Sequence, residues 1–155
     1  MSNKFYILFS FCTFFLLLFI VFPRTSIAGI PSKVRVWEMQ EIVLKAGREY
    51  DNCYTDVTCW VELKGPDFSR RVYGFWDGDN IFRVRFVATK SGKWQWAGGS
   101  NHPDDNGFNR TGEFYAAGWT EKEKMQNPNR HGFIRPTHNG HALQYADGTP
   151  FFLTG

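Results

Sequence analysis

The chain has 155 residues, with eighteen Lys+Arg against fifteen Asp+Glu. That is long enough for one domain with a core of its own, and too evenly charged for a nucleic-acid footprint, which needs a basic stripe or patch. Three cysteines exclude a disulfide-dense scaffold. Their spacing is not that of a zinc site, which wants two close pairs or added histidine ligands.

The first segment lies outside the fold. Lys4 opens it, an uncharged run follows from Phe5 to Phe22, and Arg24 ends the run before Ser26-Ile27-Ala28. A short basic start, an apolar stretch and small residues at the exit describe a secretory signal peptide over residues 1–28, cleaved after Ala28. The alternative is an uncleaved anchor helix, since the apolar run is about long enough to span a bilayer. The chain is therefore expected at a secreted, periplasmic or cell-surface location, with a membrane partner only if the segment stays attached. Removing the segment takes two basic residues and no acid, so the remainder is close to neutral.

Beyond residue 28 the dominant period is two. Val57, Cys59, Val61 and Leu63 share one face of their strand, against Thr58, Trp60 and Glu62 on the other. Phe82, Val84 and Phe86 oppose Arg83 and Arg85; Trp94 and Trp96 flank Gln95; a short strand follows at 112–117. Such alternation marks antiparallel sheets with one wet face. The opening stretch 33–46 is less regular. Val34, Val36, Ile42 and Leu44 share a parity that Glu38 and Gln40 interrupt, which predicts a bulge or two short strands. Turn chemistry at Gly65-Pro66, Asp77-Gly78, Ser91-Gly92 and Asp105-Asn106-Gly107 separates the strands.

The predicted fold is all-β: an immunoglobulin- or fibronectin-like antiparallel β-sandwich over residues 29–118. A polar linker over 119–131 follows, and a β-hairpin stub over 132–155. No stretch reads as a helix of three turns; 120–126 is helix-permissive but too polar to pack.

Few residues suggest chemistry. Asp77, Asp79 and Asn80 could offer oxygen ligands to calcium, but they lack the spacing and closing Glu of an EF-hand, and a plain hairpin turn is the favoured reading. His138 and His141 are close together but have no evident third ligand, so no metal site is assigned. No pair of acids can be chosen as glycosidase carboxylates. There is no nucleophile elbow and no phosphate-binding glycine loop, and no cofactor is expected. Asn109 heads an Asn-Arg-Thr acceptor that matters only in a eukaryotic host. Cys53 and Cys59 form a possible disulfide, set against two separate small apolar residues in a loop and a strand. Trp60, on the polar parity of its strand, with Tyr73 and Trp119 and to a lesser degree Trp37, could stack on sugars. The competing and leading reading is that these rings cover an interdomain or intersheet surface.

The stretches 34–67 and 72–96 contain "VRVWEMQEIVLKA", "YDNCYTDVTCWVELKGPD" and "VYGFWDGDNIFRVRFVATKSGKWQW". From about Lys33 to Gly118 the chain resembles the N-terminal β-sandwich family catalogued as domain of unknown function 5060 (DUF5060). The tail, with "GFIRP" and "HALQYADGTPFFLTG", resembles the lead-in to an apiosidase-like (β/α)₈-barrel glycoside hydrolase. The resemblance implies a truncated chain whose absent barrel, the expected partner, would hold every catalytic residue on the loops after its strands. No catalytic residue of this chain matches one. It also implies Pro and an apolar residue where Cys53 and Cys59 stand, so a bridge there would be particular to this chain. The expected function is that of an accessory, interdomain-packing module of a secreted glycoside hydrolase-like protein, not an enzyme by itself. The alternative is a carbohydrate-binding module using exposed aromatics, with polysaccharide as partner.

Overall fold

The computed structural model describes residues 33–153, so the expected signal peptide lies outside the described residues. Strand β1 (Lys33–Arg35) and strand β2 (Met39–Lys45) resolve the irregular opening stretch as two strands in different sheets. Between them the chain crosses from one sheet to the other. The Val36 amide donates to Ala117 O at 3.0 Å and the Trp37 amide to Ala88 O at 3.0 Å. Trp37 itself takes a left-handed conformation with φ 64°.

A one-turn helix α1 (Cys53–Asp56), capped by the Asn52 side chain, precedes β3 (Cys59–Gly65). A turn at Pro66-Asp67 leads to β4 (Phe68–Tyr73), which the weak alternation of its own sequence did not reveal. At Gly74 the chain crosses from the sheet of β3 into the opposite one and forms β5 (Phe75–Trp76). A Cβ at Gly74 would stand 2.6 Å from Cys59 Sγ and 2.9 Å from Arg83 O, so the corner admits only glycine without displacement. The Asp77–Asn80 turn is the plain hairpin expected: it joins β5 to β6 (Ile81–Val87), with Gly78 at φ 104°. Asp77 is occupied by Arg83.

Strands β7 (Gly92–Ser100) and β8 (Thr111–Ala117) complete the sandwich. One sheet runs β1-β8-β7-β3-β4 and the other β2-β6-β5. All pairings are antiparallel except β1 with β8. Ile42, Leu44, Val61, Leu63, Phe82, Val84, Trp94 and Phe114 meet between the sheets, as the period of two required. Trp94 is fully buried, stacks on Phe114 at 6.1 Å, and donates its indole N–H to Lys90 O at 2.9 Å.

The polar segment after residue 118 is more ordered than a linker. Helix α2 (Glu121–Gln126) starts in a reciprocal cap between Thr120 and Glu123, and a 3₁₀ turn (Pro128–His131) follows. Neither buries a residue, in keeping with their polarity. The tail forms a small sheet of β9 (Ile134–Pro136), β10 (Leu143–Tyr145) and β11 (Pro150–Phe151).

Two carboxylates hold the irregular parts. Asp105, only 4 % exposed, sits in the β7–β8 connection and accepts from Gly47 N at 2.8 Å, Gly107 N at 2.8 Å and Tyr50 Oη at 2.8 Å. A Cβ at Gly107 would come within 2.1 Å of Lys45 O, so the loop can lie against the end of β2 only because that residue is glycine. Burial pushes the Asp105 carboxyl up, but the hydrogen bonds from Gly107, Tyr50 and Gly47 together outweigh it and hold the group below its ordinary value. Asp147 plays a similar part in the tail. It pairs with His131 Nδ1 at 2.7 Å and Lys124 Nζ at 3.2 Å, and receives the Thr149 amide at 3.0 Å. Burial again raises its pKa, and the bonds from His131 and Thr149 reverse the sign, leaving it well below the usual carboxylate range.

Asp105→Ala leaves two amides and a phenol without their acceptor and should cost about 3 kcal/mol in chemical denaturation. Both carboxyls have depressed folded-state pKa values. Their stabilisation is therefore present above the unfolded-state value and lost as pH falls through the folded one. The thermal midpoint should drop on acidification below about pH 4, and Asp105→Asn should show a shallower drop when melting curves are compared.

Candidate functional site

The outer face of the five-stranded sheet carries the most built surface. Outward positions of β7 read Lys93, Gln95, Ala97 and Gly99. Registered beside them on β3 stand Lys64, Glu62 and Trp60, opposite Gln95, Ala97 and Gly99. On β8 stand Tyr115, Glu113 and Thr111, opposite Lys93, Gln95 and Ala97. Because Ala97 is small, the face is low there between two walls. The resulting open trough, of about 630 Å³, is lined by Glu62, Lys64, Gln95, Ala97, Thr111 and Glu113, with Trp96 and Gly112.

Charges in it are matched. Arg71 on β4 pairs with Glu62 at 2.6 Å, and Lys93 pairs with Glu113 at 2.8 Å. Hydrogen bonding to Glu62 raises the Arg71 pKa, and the Lys93 ammonium lowers that of Glu113.

Trp60 and Tyr73 stand at one end of this trough. They are cross-strand partners in edge-to-face contact, with ring centroids 6.4 Å apart. The Trp60 indole packs over Gly99, where a Cβ would lie 3.1 Å from Nε1, and the Arg71 guanidinium stands 4.2 Å from its ring centroid. Trp60 is therefore a braced wall, whereas the Tyr73 ring is 61 % exposed.

Trp119 does not join them. It follows β8 at the diagonally opposite corner, between the guanidinium groups of Arg35 at 4.6 Å and Arg130 at 4.2 Å, and donates to Val36 O at 2.8 Å. Its role is to fasten the tail to the sandwich. Trp37 likewise packs on the core and meets Phe133 edge-on at 5.4 Å.

The Cys53–Cys59 bridge is not formed: both thiols are free. Cys53, in α1, donates to Asp79 O at 3.5 Å, while Cys59 faces the core beside Gly74, and burial pushes its thiol up to about 11. His138 and His141 lie on the exposed turn between β9 and β10. Among the described residues no group of three or more His, Cys, Asp or Glu is placed to hold a metal ion, and no helix is long and apolar enough to cross a membrane.

The sequence reading missed the trough and both carboxylate hubs. For the trough a signal existed: Ala97-Gly98-Gly99 breaks the large-residue pattern of a central strand. For Asp105 and Asp147 only the turn chemistry around them was visible.

The class defined so far is a two-sheet β-sandwich with a small three-stranded sheet attached. A family model described as "Domain of unknown function (DUF5060)" matches residues 33–101. In fold, the chain is similar to a crystal structure described as that of "a putative glycoside hydrolase" from Bacteroides vulgatus, with TM-score 0.63 and 24 % identity. That similarity covers 79 % of this chain and 22 % of that one. No curated protein matches the sequence.

The two thiols offer a direct check of the packing. Alkylation of the native protein read by mass spectrometry should modify Cys53 faster than Cys59 by about a hundredfold, because Cys59 is both occluded and poor in thiolate.

Proposed function

We propose that the chain is the non-catalytic sandwich module of a longer, exported carbohydrate-active protein, and that it packs against the catalytic domain that follows. The observation that carries this reading is the apolar surface of the tail. Phe133 is 62 % exposed, Ile134 48 %, Phe152 79 % and Leu153 81 %. Phe151 is half-buried against Tyr145, edge-on at 5.3 Å. Phe152 and Leu153 border a hollow of about 450 Å³ on this sheet. Phe133 and Ile134 lie at the Tyr145 end of the small sheet, and Phe152 and Leu153 at the Leu143 end beside the hollow; exposed large apolar side chains on so small a sheet mark a surface that another part covers.

The Asp147 cluster ties the small sheet to α2 and the 3₁₀ turn, and the clamped Trp119 joins these to the sandwich. Such a tail would hold a following domain at a set angle. The similarity to part of a longer chain described as a glycoside hydrolase supports the substrate class. An apiosidase-like barrel is the domain proposed to follow, with hydrolysis performed there.

Hydroxyl-radical footprinting of the full-length gene product against the chain ending at Gly155 tests this. Phe152 and Leu153 should be oxidised several-fold less in the full-length protein, which should hydrolyse a polysaccharide that the short chain leaves intact. Equal oxidation in both, with no hydrolysis by either, would overturn the reading.

A further inference from the structure

We infer that the trough on the outer face of the five-stranded sheet binds a segment of neutral polysaccharide, which rests on the accessory reading only for where the protein meets its ligand. The trough lies over Gln95 to Ala97 of β7, between Lys64 and Glu62 on β3 and Glu113 and Thr111 on β8, so it crosses three strands, roughly 10 Å at about 4.8 Å between neighbours. Its volume of about 630 Å³ falls within the range of ligand sites. It is open rather than enclosed by a loop, so an extended chain can lie along it.

Its chemistry selects the occupant. No outward side chain on its floor is an aliphatic larger than Ala97. The walls offer carboxylates at Glu62 and Glu113, an ammonium at Lys64, an amide at Gln95 and a hydroxyl at Thr111. These accept and donate at closely spaced points, as a polyhydroxyl ligand requires.

Both carboxylates are already neutralised by Arg71 and Lys93. Lys64 is then the one lining charge without an ion-pair partner among the described residues, too little to favour a polyanion. At the Trp60 end, Tyr73 presents an exposed ring against which a sugar can pack, while Arg71 keeps the indole upright as a wall.

The test is native affinity electrophoresis of the full-length protein in gels containing xyloglucan, mixed-linkage β-glucan or polygalacturonate. The variants are Ala97→Trp, which fills the floor from the solvent side, and Tyr73→Ala. The wild type should be retarded by at least one of the neutral polymers and not by polygalacturonate. Ala97→Trp should weaken that retardation about tenfold and Tyr73→Ala less, with melting temperature and hydrolysis of a small chromogenic glycoside unchanged.

Equal retardation of wild type and Ala97→Trp would overturn the site, and so would no retardation by either neutral polymer. Preference for polygalacturonate would overturn the ligand class. Variant-sensitive retardation in a protein that hydrolyses nothing would leave the trough standing and remove the accessory reading. Hydrolysis with an inert trough would do the reverse.

Discussion

The carboxylate of Asp105 is the contact on which the sandwich closes at one end. It sits in the β7–β8 connection of one sheet and takes up the amide of Gly47, which follows the last residues of β2 in the other. The same loop drives Phe108, fully buried, into the space between the sheets, where it meets Phe82 edge-on at 5.2 Å. A buried carboxylate is tolerable only because three donors converge on it, and the donors reach it only because Gly107 lets the loop touch the β2 backbone. Polar satisfaction and hydrophobic packing are one arrangement there. Loss of either would open the edge where Ala46 and Leu44 are sealed.

The opposite end is closed by a different device. The chain enters through β1, crosses at Val36 and Trp37, and leaves after β8 at Trp119. The two crossings are tied by Trp119 donating to Val36 O and by Arg35 donating to Gly118 O at 2.6 Å. Arg35 and Arg130 on the indole connect this knot to the 3₁₀ turn, and Glu123 accepts from both arginines. The first and last strands of the sandwich thus share one anchor with the tail. These contacts join the tail to the sandwich.

Between these ends the five-stranded sheet has two different faces. Its inner face is packed by Trp94, Phe114, Val61 and Leu63, and its outer face is low at Ala97 and walled by paired charges. The same strand, β7, supplies both the largest core side chain and the trough floor, because successive residues point to opposite sides.

Sequence alone determined the parts governed by local period. Alternation placed Val57 through Leu63 and Phe82 through Phe86 with the right faces inward, and turn residues placed the Asp77–Asn80 reversal. These calculations need only the fact that strand side chains point to alternate sides. Strand β4 was not legible, since an edge strand with a sparsely buried face carries little periodic signal. The candidate rings divided in the same way. Trp60 and Tyr73 lie at the far ends of two consecutive strands and become neighbours through register, while Trp119, equally polar in its surroundings, is taken to the far corner by the strand order. Asp105 and Asp147 read as turn residues because what distinguishes them is the set of distant amides and side chains that converge on them. Parity is a property of neighbours along the chain; register, strand order and the closing of a charge by remote donors are properties of the assembled sheets, and only the tertiary structure decided them.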